Sequence, residues 1–212
     1  MGLVQVQPEH YQPIAYDVKS RFPSYWHQIR EVLIRKPSRV LEIGTGNGFV
    51  SSYLRRVGIE VVSVDIDASL GPDLTASVTS LPFKEGIFDV VIAYQVLEHL
   101  PFERFSQCLS EMAEISSRYI LISLPDRRPF LSIRAGIYPW IAHEFHLTIP
   151  VLFPRKHRFD GEHYWEIGKQ GYTLRTILQI LQKVGLRIEC HYRVPEKPFH
   201  HLFMTEKISC ER

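Results

Sequence analysis

The stretch that most constrains this chain is Val40-Leu41-Glu42-Ile43-Gly44-Thr45-Gly46-Asn47-Gly48. Val40 to Ile43 is apolar and partly β-branched, the composition of a strand buried in the middle of a parallel sheet. Alternating glycines then let the chain turn sharply and bring bare backbone against a ligand. Phe49, Val50, Tyr53, Leu54 and Val57 follow at helical spacing, and Gly58 is placed to stop the helix. A strand, a glycine loop and a helix in that order predict a ligand-binding turn at a helix N-terminus, where free N–H groups gather. The bland alternative is a plain strand-to-helix turn that needs glycine only for its shape.

The loop does not match the dinucleotide pattern Gly-x-Gly-x-x-Gly, because its third glycine comes one residue early. Glu42, just before the loop, would repel a pyrophosphate. A ligand that is cationic, or that lacks phosphate there, fits better, and a nicotinamide-dependent oxidoreductase is disfavoured. Four segments in order then carry a resemblance. Leu41 to Gly48 is similar to the first motif of the class I S-adenosylmethionine-dependent methyltransferases. Val64-Asp65 resembles the family's acidic end of the second strand. Ser80-Leu81-Pro82-Phe83 with Phe88-Asp89-Val90-Val91 resembles the lead into the fourth strand, and Val96-Leu97-Glu98-His99-Leu100 the segment after it. The resemblance covers roughly residues 38–125.

It implies a doubly wound, mostly parallel, seven-stranded α/β sheet of the Rossmann-like methyltransferase type, ending in an antiparallel hairpin. It also implies S-adenosyl-L-methionine as cofactor. Glu42, Gly44, Thr45, Gly46, Asn47 and Gly48 would hold the methionine end, and Asp65 with Ile66 the ribose side. An Asp usually contacts the adenine amine shortly before Leu-Pro-Phe. Here that place falls to Ser77 and the Val78 backbone, or to an Asp shifted to Asp73. Tyr94 and Gln95 stand beside the cofactor at the end of the fourth strand.

Composition sets outer bounds. The 212 residues suit one α/β domain, and 45% hydrophobic with 23% charged residues is ordinary for a globular chain. A net charge of +2 makes no electrostatic case for nucleic acid. Cys108, Cys190 and Cys210 are scattered and odd in number, which predicts reduced thiols and a cytoplasmic setting rather than a disulfide framework. Met1 to Pro13 has no signal-peptide pattern, and no apolar run is long enough to span a membrane.

Along the chain, residues 1–37 read as an arm and a helix, the helix over Ser24–Ile34. Tyr11, Tyr16 and Arg21 either lie across the cofactor or belong to a packed N-terminal extension. Residues 38–125 are the cofactor-binding core, with strands over Ile59–Val64, Leu74–Val78, Phe88–Ala93 and Tyr119–Leu124 and a helix over Pro101–Ser116. Residues 126–170 are rich in aromatics, His and Arg, and read as a substrate-cap insertion. Residues 171–212 supply a helix over Tyr172–Val184, capped by Thr173, and strands over Leu186–Arg193 and Phe199–Thr205.

The candidate catalytic residues are His99, His163 and Tyr94. His99 is either a general base or a packing histidine. In the ubiquinone-biosynthesis O-methyltransferases two glutamates and a histidine of this segment can hold a metal. Gln95 replaces the first glutamate here, so no metal is expected. His163, with Glu162 or Glu166 as a recognition carboxylate, lies in the dense cluster Asp160–Glu166. The expected activity is methyl transfer to a small-molecule acceptor, at oxygen. A methyltransferase-like module that binds without chemistry is the alternative outside the enzymes. Oligomeric state is not encoded in any feature of the sequence.

Overall fold

The computed structural model describes residue 11 and residues 16–137, 141–149 and 153–208. The start of the N-terminal arm, Tyr138, Trp140, the side chain of His143 and Cys210 fall outside that description. After the arm comes α1 (Phe22–Leu33), with proline in its first turn, then β1 (Arg39–Ile43), α2 (Phe49–Arg56) and β2 (Glu60–Asp65). A short crossover leads to β3 (Leu74–Thr75). β4 (Phe88–Tyr94), α3 (Phe105–Ile115) and β5 (Ser116–Pro125) complete the parallel part. Then come β6 (Phe130–Ile137), β7 (Ile141–Thr148), α4 (Leu174–Lys183), β8 (Leu186–Arg193) and β9 (His200–Lys207).

Seven strands form one sheet in the order β3-β2-β1-β4-β5-β9-β8. The first five are parallel, while β9 runs antiparallel to both β5 and β8. This is the expected Rossmann-like methyltransferase sheet. Period-two alternation splits each central strand between two cores. Leu41, Val91, Ile120, Ile122 and Phe203 face one side with α3 and α4 residues such as Leu109, Met112, Ile177 and Leu181. Val40, Val90, Ile92, Leu121 and Leu202 face the other with Tyr25, Ile29, Val32, Val50 and Leu54. Burial on both faces explains why β1 and β4 read as continuous apolar runs.

Several boundaries differ from the sequence reading. β3 stops at Thr75 rather than Val78, because the Ser77 side chain takes the Thr79 N–H (3.3 Å) and turns the chain. Asp73 is drawn away from the adenine position: it accepts the Ser63 N–H (2.7 Å) and hydroxyl and pairs with Arg55, pinning the crossover to β2. The helix expected from Pro101 begins as a 3-10 turn and is α-helical only from Phe105. Thr173 caps α4 as expected, accepting from the Thr176 N–H at 3.1 Å. The segment read as a cap contains an unforeseen two-stranded antiparallel hairpin, β6–β7, which is separate from the main sheet.

Candidate active site

The order of the parallel strands reverses between β1 and β4, and ligands of open α/β sheets bind beyond the carboxyl ends of the strands at such a point. A cavity of about 430 Å³ lies there. Its wall includes Glu42, Gly44, Thr45, Gly46, Asn47, Asp65, Ile66, Ser77, Val78, Tyr94, Gln95 and His99. The residues assigned from the sequence to a cofactor are therefore brought together, with one exception. Gly48 is not on the wall: it is the left-handed N-cap of α2 (φ 69°), with its N–H on the Thr45 carbonyl at 2.8 Å. Its role is to start the helix.

Gly44 is the tightest point of the loop. It has φ 82°, and a Cβ there would sit 2.3 Å from Val96 Cγ2. Gly46 (φ 52°) lies under Tyr11, whose Cε1 would be 3.4 Å from an added Cβ. Only glycine leaves the loop backbone free to take this shape and approach a ligand. Asp65 accepts the Thr45 N–H through Oδ2 (2.7 Å) and the Asp67 N–H through Oδ1 (2.9 Å). A carboxylate has about four acceptor sites, so two remain for a ligand's hydroxyls.

Glu42 is the most informative group. It is buried, and its Oε2 has no hydrogen-bond partner among the described residues; Thr45 Oγ1 is in the same position. Burial pushes the Glu42 carboxyl up to about 7, against the pull of Ser51 and Arg55. A buried carboxylate with one oxygen left unpaired in a cavity wall is costly unless a cation meets it. The ammonium and sulfonium of S-adenosylmethionine supply that charge, so the residues present fit this cofactor.

Tyr11 and residues 16–21 of the N-terminal arm lie beside the loop. Tyr11, Tyr16 and Arg21 all reach the cavity wall. Asn47 holds the arm down: its Nδ2 donates to Asp17 Oδ1 (2.7 Å) and to the Tyr25 hydroxyl (3.1 Å). Tyr25 in turn donates to Asp17 at 2.8 Å.

The three catalytic candidates separate. His99 is on the wall, and its Nδ1 lies 2.9 Å from the Glu162 carbonyl, so Nδ1 carries the proton and Nε2 is the basic nitrogen. His163 is one layer back, its ring 5.1 Å from that of His99 and its Nδ1 3.2 Å from Glu166 Oε1. Burial pulls the His163 pKa down, but the hydrogen bond to Glu166 and the field of Glu98 outweigh it and raise the imidazole. Glu166 is buried, accepts from Arg127 and is held below the usual carboxylate range by His163 and Arg127 despite its burial. It anchors His163 instead of meeting the cavity. Tyr94 is on the wall, but its hydroxyl donates to the Gln28 carbonyl (3.3 Å) and burial raises it well above its ordinary value. That makes Tyr94 a fixed wall rather than a proton carrier.

Gln95 has φ 58°, rare for a side-chain-bearing residue, and its amide donates to Ser123 Oγ at 3.1 Å. Glu98 is fully buried with both carboxylate oxygens unpartnered among the described residues, and burial raises it to about 7. Glu98, His99 and His163 bring ligand atoms within 4.8 Å of one another, as do Asp160, His163 and Glu166, so either set could hold a metal ion.

Sequence reasoning missed His200. It stands on the cavity wall with Nδ1 2.6 Å from Ser24 Oγ, and burial, with Arg21 and Lys197 adding, lowers it to about 3. It is a neutral imidazole. The available signal was the antiparallel direction of β9, which brings the start of that strand to the edge where the parallel strands end.

Against known proteins, a family model described as a methyltransferase domain matches residues 16–191. An uncharacterized methyltransferase of Mycobacterium sp. (strain JLS) is 30% identical over 119 residues, which is 51% of this chain and 44% of that protein. The match therefore spans less than half the length of that relative. Among solved structures, magnesium protoporphyrin IX methyltransferase of Synechocystis PCC 6803 with bound S-adenosylhomocysteine is similar at TM-score 0.62 and 18% identity, covering 97% of this chain and 89% of that one. Burkholderia thailandensis 1,6-didemethyltoxoflavin-N1-methyltransferase is similar at TM-score 0.56 and 17% identity, covering 99% and 94%. The chain belongs to the methyltransferase-domain family, of the class I S-adenosylmethionine-dependent type. Among the described residues no helix is long and apolar enough to cross a membrane.

Proposed function

We propose that this chain transfers a methyl group from S-adenosylmethionine to a hydroxyl of a small-molecule acceptor. The observation that carries the reading is the His99 imidazole on the wall of the cavity that Glu42, the glycine loop and Asp65 line. The cofactor, when bound, supplies an already activated methyl group. What remains for the chain is to hold two partners in line, which can contribute about 7–11 kcal/mol toward the barrier. Glu42 and the loop amides bind the charged end, Asp65 takes the ribose hydroxyls, and Ser77 with the Val78 backbone borders the adenine side. The arm, through Tyr11 and Tyr16, excludes water from above.

A hydroxyl is a weak nucleophile, so a base is useful. His99 Nε2 takes the acceptor's proton while the Glu162 carbonyl holds the ring in the required tautomer. Such a base contributes about 10²–10⁴-fold in rate. His163, anchored by Glu166, sits behind it against the His99 ring, and the buried Glu98 carboxyl lies close to both imidazoles. The aromatic character of Tyr11, Tyr16, Phe49 and Tyr164 on the same wall suits a planar or lipid-like acceptor. Two fold neighbours are named for 1,6-didemethyltoxoflavin, as an N1-methyltransferase, and for magnesium protoporphyrin IX, both small molecules, which supports that class of acceptor.

The test is a screen of phenols, quinones, fatty acids and sugars with labelled donor. Turnover on a hydroxyl compound, reduced about 10²–10⁴-fold by His99→Gln with S-adenosylhomocysteine affinity kept, is the expected result. Turnover only on RNA or protein would overturn the acceptor class.

A further inference from the structure

We propose that the β6–β7 hairpin is a membrane-contact element that seats the molecule on an anionic lipid surface. The register pairs Leu131 with Leu147 and Ile133 with Phe145, and Ile137 falls at the same parity along β6. Residues at these alternating positions project to one face of the two-stranded ribbon. Leu131, Ile133, Ile137, Phe145 and Leu147 are between 43% and 71% exposed there. The opposite face is different: Ser132 pairs with His146, and Phe130, packed by Arg193, with Thr148. These five exposed apolar side chains share one side of the ribbon, with the Ala135–His143 pair at the same parity between them in the register, and none of the five lines the cavity. Exposed apolar patches of this kind mark interaction surfaces.

Charge selects the partner. Residues 127–159 contain six Lys or Arg and one acid; Arg127 and Arg128 are paired with Glu166 and Asp126, which leaves the cluster Arg155, Lys156 and Arg158 as the cationic stretch. Arg155, Lys156 and Arg158 are exposed and make no ion pair among the described residues. They sit at the root of the hairpin. The Gln170 N–H donates to the Arg155 carbonyl (3.0 Å), and the Arg127 N–H to the Ile167 carbonyl (2.9 Å), so residues 167–170 tie the basic stretch to the start of β6. The nearby acid Asp160 accepts from the Glu162 and His163 amides.

An apolar face with a cationic root matches a lipid surface, where side chains enter the acyl boundary and Lys or Arg meet anionic headgroups. A second copy of the chain fits less well, since a two-fold interface would set this basic stretch against itself. β6 also leaves the sheet edge on which the cavity lies. Seating the hairpin brings the cavity toward the headgroups, and, resting on the methyl-transfer reading, points to an acceptor presented at a membrane.

The full chain is sedimented with vesicles of phosphatidylcholine alone and of an equimolar mixture with phosphatidylglycerol. Binding is expected to the mixed vesicles, weakening with salt. Neutralising the root with Arg155→Gln, Lys156→Gln and Arg158→Gln should weaken partitioning by about 100-fold, near 1 kcal/mol per cation. Ile133→Ser with Leu147→Ser should abolish it. Circular dichroism and S-adenosylhomocysteine titration check that each variant is folded, and a normal titration separates failure of this proposal from failure of the cofactor reading. No sedimentation of the wild type, unchanged sedimentation of the folded serine variant, or a dimer lost in that variant without any vesicle binding would each overturn the proposal.

Discussion

Glu42 shows how one side chain can be both a burden and a tool. Its carboxyl titrates near 7 because it is buried, and its Oε2 has no partner among the described residues. If the ionised form meets the cofactor's ammonium, affinity must fall as pH drops below that value. S-adenosylhomocysteine, which keeps the ammonium, should bind about tenfold more weakly at pH 6 than at pH 8. Glu42→Gln should weaken binding at pH 8 and flatten this dependence, and calorimetry across the range decides it. Gly44 offers a steric counterpart. Gly44→Ala places a methyl against Val96 and holds an L-residue at positive φ, a conformation costing roughly 1–2 kcal/mol by itself. Cofactor binding should be lost. Adding Val96→Ala should restore part of it, because only the clash and not the backbone strain is relieved.

At the level of elements, the arm and the glycine loop act as one unit through Asp17, which accepts from both Tyr25 and Asn47. Asp17→Ala removes two hydrogen bonds of about 0.5–1.5 kcal/mol each, so the arm should open more often. Stopped-flow displacement should show S-adenosylhomocysteine leaving about tenfold faster, within the range those bonds allow. The elements readable in the sequence were those set by local chemistry: the buried run of β1, the glycine loop, Asp65 at the end of β2 and the Thr173 cap. What escaped depended on contacts distant in the chain. Asp73 looked available until Arg55 and Ser63 were seen to hold it. His200 reaches the cavity only because β9 runs against its neighbours. The β6–β7 strands were obscured by the His, Arg and aromatic residues that made the segment look like a cap, although their apolar alternation is plain once the pairing is known.

The whole molecule carries two opposed sets of buried titratable groups. Glu42 and Glu98 are raised by burial from 4.5 to about 7. Between those values the folded chain binds protons that the unfolded chain has released, so stability falls as pH rises. His200 and His201 are lowered by burial from 6.5 to about 3 and about 4, the latter despite Asp126 beside it. Over the range below 6.5 the unfolded chain binds their protons instead, so stability rises with pH. His27 and His191, lowered by burial, act in that second sense. His163, raised by Glu166 and Glu98 against its burial, acts in the opposite sense, and only above 6.5. From about pH 4.5 to 6.5 the two glutamates offset only part of the effect of the four histidines, so the melting temperature of the cofactor-free chain should rise with pH there, less steeply than the histidines alone would give. Below 4.5 the glutamates are protonated in both states and stop compensating. Asp126, held below the usual carboxylate range by His201 and Arg128 despite its burial, adds its own loss, so acid unfolding should be steep. Glu98→Gln tilts the balance. It should leave stability at pH 4.5 little changed and raise it at pH 7.5 by up to about 3 kcal/mol, the value of a 2.5-unit shift. Denaturant melts of wild type and variant at the two pH values measure this directly, and an equal change at both would show that Glu98 acts through packing rather than through its charge.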